Sequence, residues 1–171
     1  MKNVIKTTVL LFAITSLIAC KNDSKKDSNK SISTDEIKTE AGLSFSENTI
    51  GEQFQHYIHI KTALVNSDLD EAKSGAIMLT NVAENDSLKD VSTSISTAQD
   101  IETARMLFAE VTEKMTVVVN KSISNGEVYQ QYCPMAFNNS GSYWLSTEKE
   151  IRNPYFGDRM LKCGSVTETI K

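Results

Sequence analysis

Asp100–Lys121 reads DIETARMLFAEVTEKMTVVVNK. Within it Ile101, Ala104, Phe108, Val111, Met115 and Val118 are spaced 3, 4, 3, 4 and 3 residues apart. That spacing returns an apolar side chain to one face of a helix at every turn, the outline of a bundle seam. Asn125-Gly126 stops it. A helix with one apolar stripe must bury it against other elements, so the fold class depends on what flanks this segment.

Upstream, the same period begins at Ile50. Phe54, Tyr57, Ile58, Leu64 and Val65 share a face, with Ile50 one turn earlier. Asn66-Ser67-Asp68 breaks the pattern. Ser67 is the expected cap of a second helix, with Asp68, Asp70 and Glu71 in its favourable first turn. That helix would bury Leu69, Ala72, Ala76, Leu79 and Ala83, whose small members permit close helix approach. After a break at Asn85-Asp86-Ser87, a weaker helix holds Leu88, Val91 and Ile95. Arg105 disturbs the polarity near the seam of the long helix. It either pairs with a carboxylate or with backbone carbonyls of the C-terminal segment, or it is a solvated surface arginine, which the pattern favours.

Beyond Gly126 the character changes. Glu127–Cys133 alternates loosely, is rich in Tyr and Val, and ends at Pro134. Ser142–Leu145 is a second candidate strand, Ser165–Ile170 a third, and Asn153-Pro154-Tyr155-Phe156-Gly157 a turn. Trp144, Tyr143, Tyr155 and Phe156 are expected to pack this cap onto the helices. The predicted fold is mainly α: an antiparallel helical bundle with a small C-terminal β/loop cap over residues 126–171.

The chain has 171 residues, 40% hydrophobic and 23% charged, which suits one globular domain. Its start is of another kind. Lys2 and Lys6 precede an apolar stretch that closes on Leu17-Ile18-Ala19-Cys20. The stretch is too short for a spanning helix and reads as a signal peptide over residues 1–19. Leu-Ile-Ala-Cys resembles a bacterial lipobox, whose Cys is lipidated and becomes the mature N-terminus; the alternative is a plain signal peptide with Cys20 in its cleavage region. Acyl chains on Cys20, palmitate among them, would anchor the protein to the lipid bilayer without spanning it. The expected location is the bacterial cell envelope, facing the periplasm or the exterior. Residues 20–49 then read as the lipidated N-terminus and a disordered tether, too poor in apolar surface to fold, and residues 50–171 as the domain. Losing Lys2 and Lys6 leaves 16 basic against 22 acidic residues, a net charge of −6. Nothing supplies a phosphate-neutralising patch, so no nucleic acid is expected as a partner.

Setting Cys20 aside leaves Cys133 and Cys163. An even pair in an exported chain suggests a disulfide, which would close a loop of about 31 residues and contribute roughly 3–4 kcal/mol. The same two cysteines sit beside Met135 and Met160. Thiolate and thioether are soft donors that select Cu(I) and related ions, so Cys133, Met135, Met160 and Cys163 are candidate ligands and copper the expected ion. The spacing places Cys133 and Met135 on one face of an extended segment, and Met160 and Cys163 within one turn. His56 and His59, the only histidines, lie opposite the apolar face of the first helix. They are outside candidates for a metal held from one side, or part of a solvated face. No nucleophile–base pair, His-Glu-x-x-His, Gly-x-Ser-x-Gly or phosphate-cradling loop is present, and an enzyme is not expected.

Tyr132-Cys133-Pro134-Met135-Ala136, Trp144-Leu145-Ser146, Asn153-Pro154-Tyr155-Phe156-Gly157 and Met160-Leu161-Lys162-Cys163-Gly164, with Tyr57–Val65 upstream, resemble a bacterial envelope domain of unknown function. That domain occurs in stand-alone lipoproteins and fused to periplasmic adaptor subunits of RND-type heavy-metal efflux systems. Cys133-Pro134-Met135 is also similar to the Cys-Pro-Met-His-Pro core of short heavy-metal-binding domains. The resemblance implies a link to copper and a metal-efflux adaptor or another envelope protein as partner. The chain departs from it twice. Glu102-Thr103-Ala104-Arg105 lacks a His found before the Arg in efflux-linked relatives, and Ala136 replaces the His of the short domains. The alternative function is a non-metal protein-interaction module whose cysteine pair is a structural disulfide.

Overall fold

The computed structural model describes residues 42–171. The expected signal peptide, the expected lipidation site Cys20 and most of the expected tether lie outside the described residues. Four helices dominate: α1 (Asn48–Val65), α2 (Leu69–Val82), α3 (Asp86–Ser96) and α4 (Ile101–Ser122). Each packs on the next in sequence, and α1 closes the cycle against α4. Two small antiparallel sheets accompany them. One pairs β1 (Ser44–Phe45) with β2 (Ile123–Asn125), and the other has strand order β4 (Ser142–Ser146), β3 (Val128–Cys133), β5 (Ser165–Ile170). The described residues are therefore mainly helical, with two sheets where the sequence suggested one.

The caps explain the helix starts. The Asp68 carboxylate accepts from Glu71 N at 3.0 Å, Asn85 Oδ1 from Leu88 N at 3.1 Å, and Asp100 Oδ1 from Thr103 N at 2.8 Å. Each satisfies an N–H that the first turn leaves open. Ser67, the expected cap of α2, is displaced by its neighbour. Its φ of 57° is left-handed, whereas a capping residue needs extended backbone, as Asp68 has.

The seam of α4 buries Ala104, Phe108, Val111 and Met115 as spaced, but its last buried member is Val119 and not Val118. A 3.6-residue turn drifts from a strict 3,4 alternation by about 20° per heptad, so by the end of this helix the drift is about half a residue, enough to favour Val119 over Val118. On α2 the expected Ala72, Ala76 and Leu79 are buried, and so is Gly75. A Cβ at Gly75 would sit 3.0 Å from Ile60 Cγ1 and 3.2 Å from the His59 ring, so the missing side chain sets how closely α1 and α2 pack.

Residues 42–49, grouped with the tether by composition, belong to the fold. Leu43 is in the core, Ser46 N donates to Ser122 O at 2.7 Å, and Ser44 and Ser124 hydroxyls bond at 3.0 Å. A contact some 80 residues away in sequence holds this stretch down, and no local pattern reports it.

An aromatic series joins helices to cap. Ring centroids run Phe45–Phe54 5.4 Å, Phe54–Tyr57 5.9 Å, Tyr57–Phe108 5.0 Å, Phe108–Tyr155 6.3 Å and Tyr155–Trp144 6.0 Å. These separations suit offset and edge-on ring contacts. The Tyr57 hydroxyl bonds Thr112 Oγ1 of α4 and accepts from Leu145 N of β4, both at 2.9 Å, so one α1 side chain fixes sheet against helix. Burial drives its pKa strongly up, so it stays a neutral phenol.

Candidate functional site: the sulfur pair of the cap

Cys133 ends β3 and is fully buried; Cys163 lies half-buried just before β5. β5 pairs with β3 in antiparallel register, Tyr132 opposite Ser165. That pairing brings the two cysteines side by side although they are 30 residues apart, and their Sγ atoms are 3.1 Å from each other as free thiols.

The loop that delivers Cys163 is organised by Asn153, which is buried without charge. Its Nδ2 donates to Cys163 O at 2.8 Å, its Oδ1 accepts from Tyr155 N at 2.8 Å, its N donates to Leu161 O at 2.9 Å, and its carbonyl accepts from Gly157 N at 3.0 Å. All its hydrogen-bonding groups thus serve the turn, which explains its burial. Arg105, expected on the surface, is 2% exposed and clamps the same turn. Its Nε donates to Pro154 O at 2.9 Å, and its Nη atoms donate to Glu102 at 2.8 Å, Ser67 Oγ at 3.1 Å and Leu64 O at 3.2 Å. A seam-flanking arginine is thereby a four-way tie between α4, the end of α1, the α1–α2 loop and the cap. Glu102 also pairs with Arg159 at 2.7 Å.

The thioethers are placed less symmetrically than the spacing suggested. Met135 does not share a strand face with Cys133. Pro134 cannot extend the ladder, and Met135 has helical backbone (φ −91°, ψ −10°) and is 45% exposed. It leads into a tight turn, Ala136–Asn139, with left-handed backbone at Phe137, Asn138 and Asn139 (φ 49°, 57° and 67°). Gly141 N closes the turn on Ala136 O at 2.9 Å, and Phe137 sits edge-on to Tyr155 at 5.1 Å. Met160 is half-buried, and its carbonyl accepts from Cys163 N at 3.0 Å, the tight loop the spacing allowed.

The histidines belong to another part of the molecule. Both are half-buried on α1. His59 Nε2 lies 2.5 Å from Glu71 Oε1 of α2, so it ties two helices together. Burial, with the neighbouring His59, lowers the pKa of His56, and Glu52 opposes this. Among the described residues no group of three or more His, Cys, Asp and Glu side chains converges as a metal site, so any ion at the cap would rest on two cysteines and on thioethers.

A thiol pair can do two things. Oxidation joins the sulfurs, which must close from 3.1 Å to about 2.05 Å. Ligation needs them apart: with metal–sulfur bonds of about 2.3 Å, a tetrahedral pair stands about 3.8 Å apart. Both displacements are of the order of one ångström and within reach of side-chain rotation. The Cys163 thiol pKa is raised by its hydrogen bond with Cys133, then by burial and by the charge Cys133 would carry, so it holds its proton at neutral pH. Two polar groups beside the pair's sheet are buried without hydrogen-bond partners among the described residues. They are Gln131 Oε1 and Trp144 Nε1, on residues directly opposite each other in the β3–β4 register.

Residues 54–126 match the model of a family described as "Protein of unknown function (DUF3347)". The match runs from α1 to the start of the cap and stops short of the sulfur pair. No curated protein and no solved structure matches the chain. Among the described residues no helix is long and apolar enough to cross a membrane. Asn153 carried no signal of its role; Arg105 did, as an arginine beside an apolar seam, and the alternative of pairing with a carboxylate and with cap carbonyls is the one found.

Proposed function

We propose that the protein is a membrane-anchored envelope lipoprotein whose cap captures a soft metal ion, copper before others, as an accessory to heavy-metal efflux or homeostasis. The observation that carries this is the approach of Cys133 and Cys163 to 3.1 Å, with Met135 and Met160 two and three residues from them in sequence. The ligating form is the reduced one, because a disulfide has no thiolate to donate. Thiol protons must leave on binding, and the raised pKa of Cys163 makes affinity climb with pH through neutrality and into the alkaline range. The link to efflux rests on the resemblance of the cap motifs to domains fused to efflux adaptors.

The second reading is a non-metal interaction module in which Cys133–Cys163 is a structural disulfide. The short sulfur–sulfur distance favours it, since two ligands of one ion stand farther apart. One experiment separates them: Cu(I) titration of the protein, fully reduced and after oxidation, against a competing chelator. Stoichiometric binding by the reduced form alone, weakened by Met135→Leu/Met160→Leu, supports the metal reading. No binding by the reduced form, with zero free thiols in protein isolated unreduced, leaves the disulfide module.

A further inference from the structure

Away from the sulfur pair, a buried cation lacks an anion. Lys61 of α1 is 6% exposed, yet among the described residues its ammonium makes a single hydrogen bond, a 3.4 Å donation to Ser146 Oγ at the end of β4. No carboxylate among the described residues pairs with it within 4.0 Å. An ammonium has three donors, and a buried charge is stable only when its donors are used. Burial pulls the Lys61 pKa down; Glu148 nearby works against this and Arg152 adds to it.

Ser146 is also buried, and both its acceptor sites are taken, by Lys61 Nζ and by Glu148 N at 3.1 Å. Its hydroxyl proton donates to nothing among the described residues. Arg152, on the rim, has no carboxylate partner within 4.0 Å among the described residues. Lys61 and Arg152 line one cleft of about 340 Å³ with Thr62, Asn66, Thr147 and Glu148. Two cations face one carboxylate there, and that carboxylate is ion-paired to neither.

We infer that this cleft binds a small oxyanion, a carboxylate or a phosphate group, between the Lys61 ammonium and the Arg152 guanidinium. Guanidinium suits the paired oxygens of either group, and the lysine supplies a point charge beneath. The site is independent of the sulfur chemistry.

The test is a ¹H–¹⁵N titration of the reduced protein with acetate, with inorganic phosphate and with chloride at matched ionic strength. Saturable shifts at the amides of Lys61 and of residues 146–152 with acetate or phosphate, and not with chloride, support the site and say which oxyanion it takes. Arg152→Gln changes an exposed side chain and should weaken binding about 10-fold or more, the value of one charged hydrogen bond. Glu148→Gln should tighten it, and Lys61→Met should abolish it. If Lys61→Met does not fold, the two surface variants decide. Non-saturating shifts equal to those of chloride, or unchanged affinity in Arg152→Gln, overturn the inference.

Discussion

Replacing Arg105 with Met tests whether the cap is held by one buried guanidinium. Methionine keeps most of the volume and the apolar stem, so the loss is chiefly of hydrogen bonds. Among the described residues Pro154 O accepts from Arg105 alone; the residue is buried, and its carbonyl would be orphaned at a cost of about 1–3 kcal/mol. Leu64 O keeps Ser67 N at 3.2 Å, so its loss is smaller, about 1 kcal/mol. Ser67 is exposed and turns to water. Glu102 is 58% exposed and retains Arg159, so that ion pair contributes under about 1 kcal/mol. Relief of the guanidinium's desolvation offsets part of the sum. The expected net loss is about 3 kcal/mol, or a fall in Tm of about 10 °C for a chain of this size. Urea unfolding followed by circular dichroism measures it. Because Arg105 clamps the turn that carries Cys163, the variant should also oxidise its thiol pair more slowly. A loss below 1 kcal/mol, or a loss fully reproduced by Glu102→Gln, would refute the tie through Pro154.

Tyr57→Phe should cost about 1.5–3 kcal/mol in the same assay, because it leaves the buried Leu145 N–H without an acceptor while changing no volume. Gly157→Ala should cost about 2–4 kcal/mol: φ is +56°, and the new Cβ would stand 2.6 Å from Ser67 Oγ and 2.9 Å from Val65 O. Oxidation to Cys133–Cys163 should raise unfolding stability by about 3–4 kcal/mol relative to the reduced protein, and Cys163→Ser should abolish the difference. The His56 pKa lies below 6.5 in the fold, so the unfolded chain binds the proton first. Its contribution is therefore present above pH 6.5 and lost as pH falls through the lower folded value; His56→Gln should flatten this slope in stability measured from pH 8 to 5.

What could be read from the residues alone was whatever repeats locally. Helix periods placed α1 to α4, the break at Asn66–Asp68 fell in the connection between α1 and α2, the break at Asn85–Ser87 marked the N-cap and first turn of α3, and alternation with Pro134 found all three strands of the cap. The cysteine count, with Cys20 set aside, singled out Cys133 and Cys163 as a pair. The errors of the pattern were local too: the cap of α2 moved from Ser67 to Asp68, and the end of the α4 seam from Val118 to Val119. Met135 was misplaced because Pro134 ends the strand one residue before it, so alternation no longer applies.

Everything that defines the candidate sites is non-local. β3 and β5 bring Cys133 and Cys163 to 3.1 Å; Arg105 reaches Pro154 across 49 residues; Lys61 meets Ser146 across 85; and Ser44 meets Ser124 across 80. Sequence by itself determined, in outline, which face of the helices would turn inward, because that follows from a backbone period and the exclusion of apolar surface from water; it placed Tyr143 in the packed cap, where the structure leaves it 46% exposed. Only the tertiary structure decided which polar groups would be carried inside, because a buried arginine, asparagine or lysine is tolerated solely by partners that folding brings from elsewhere in the chain.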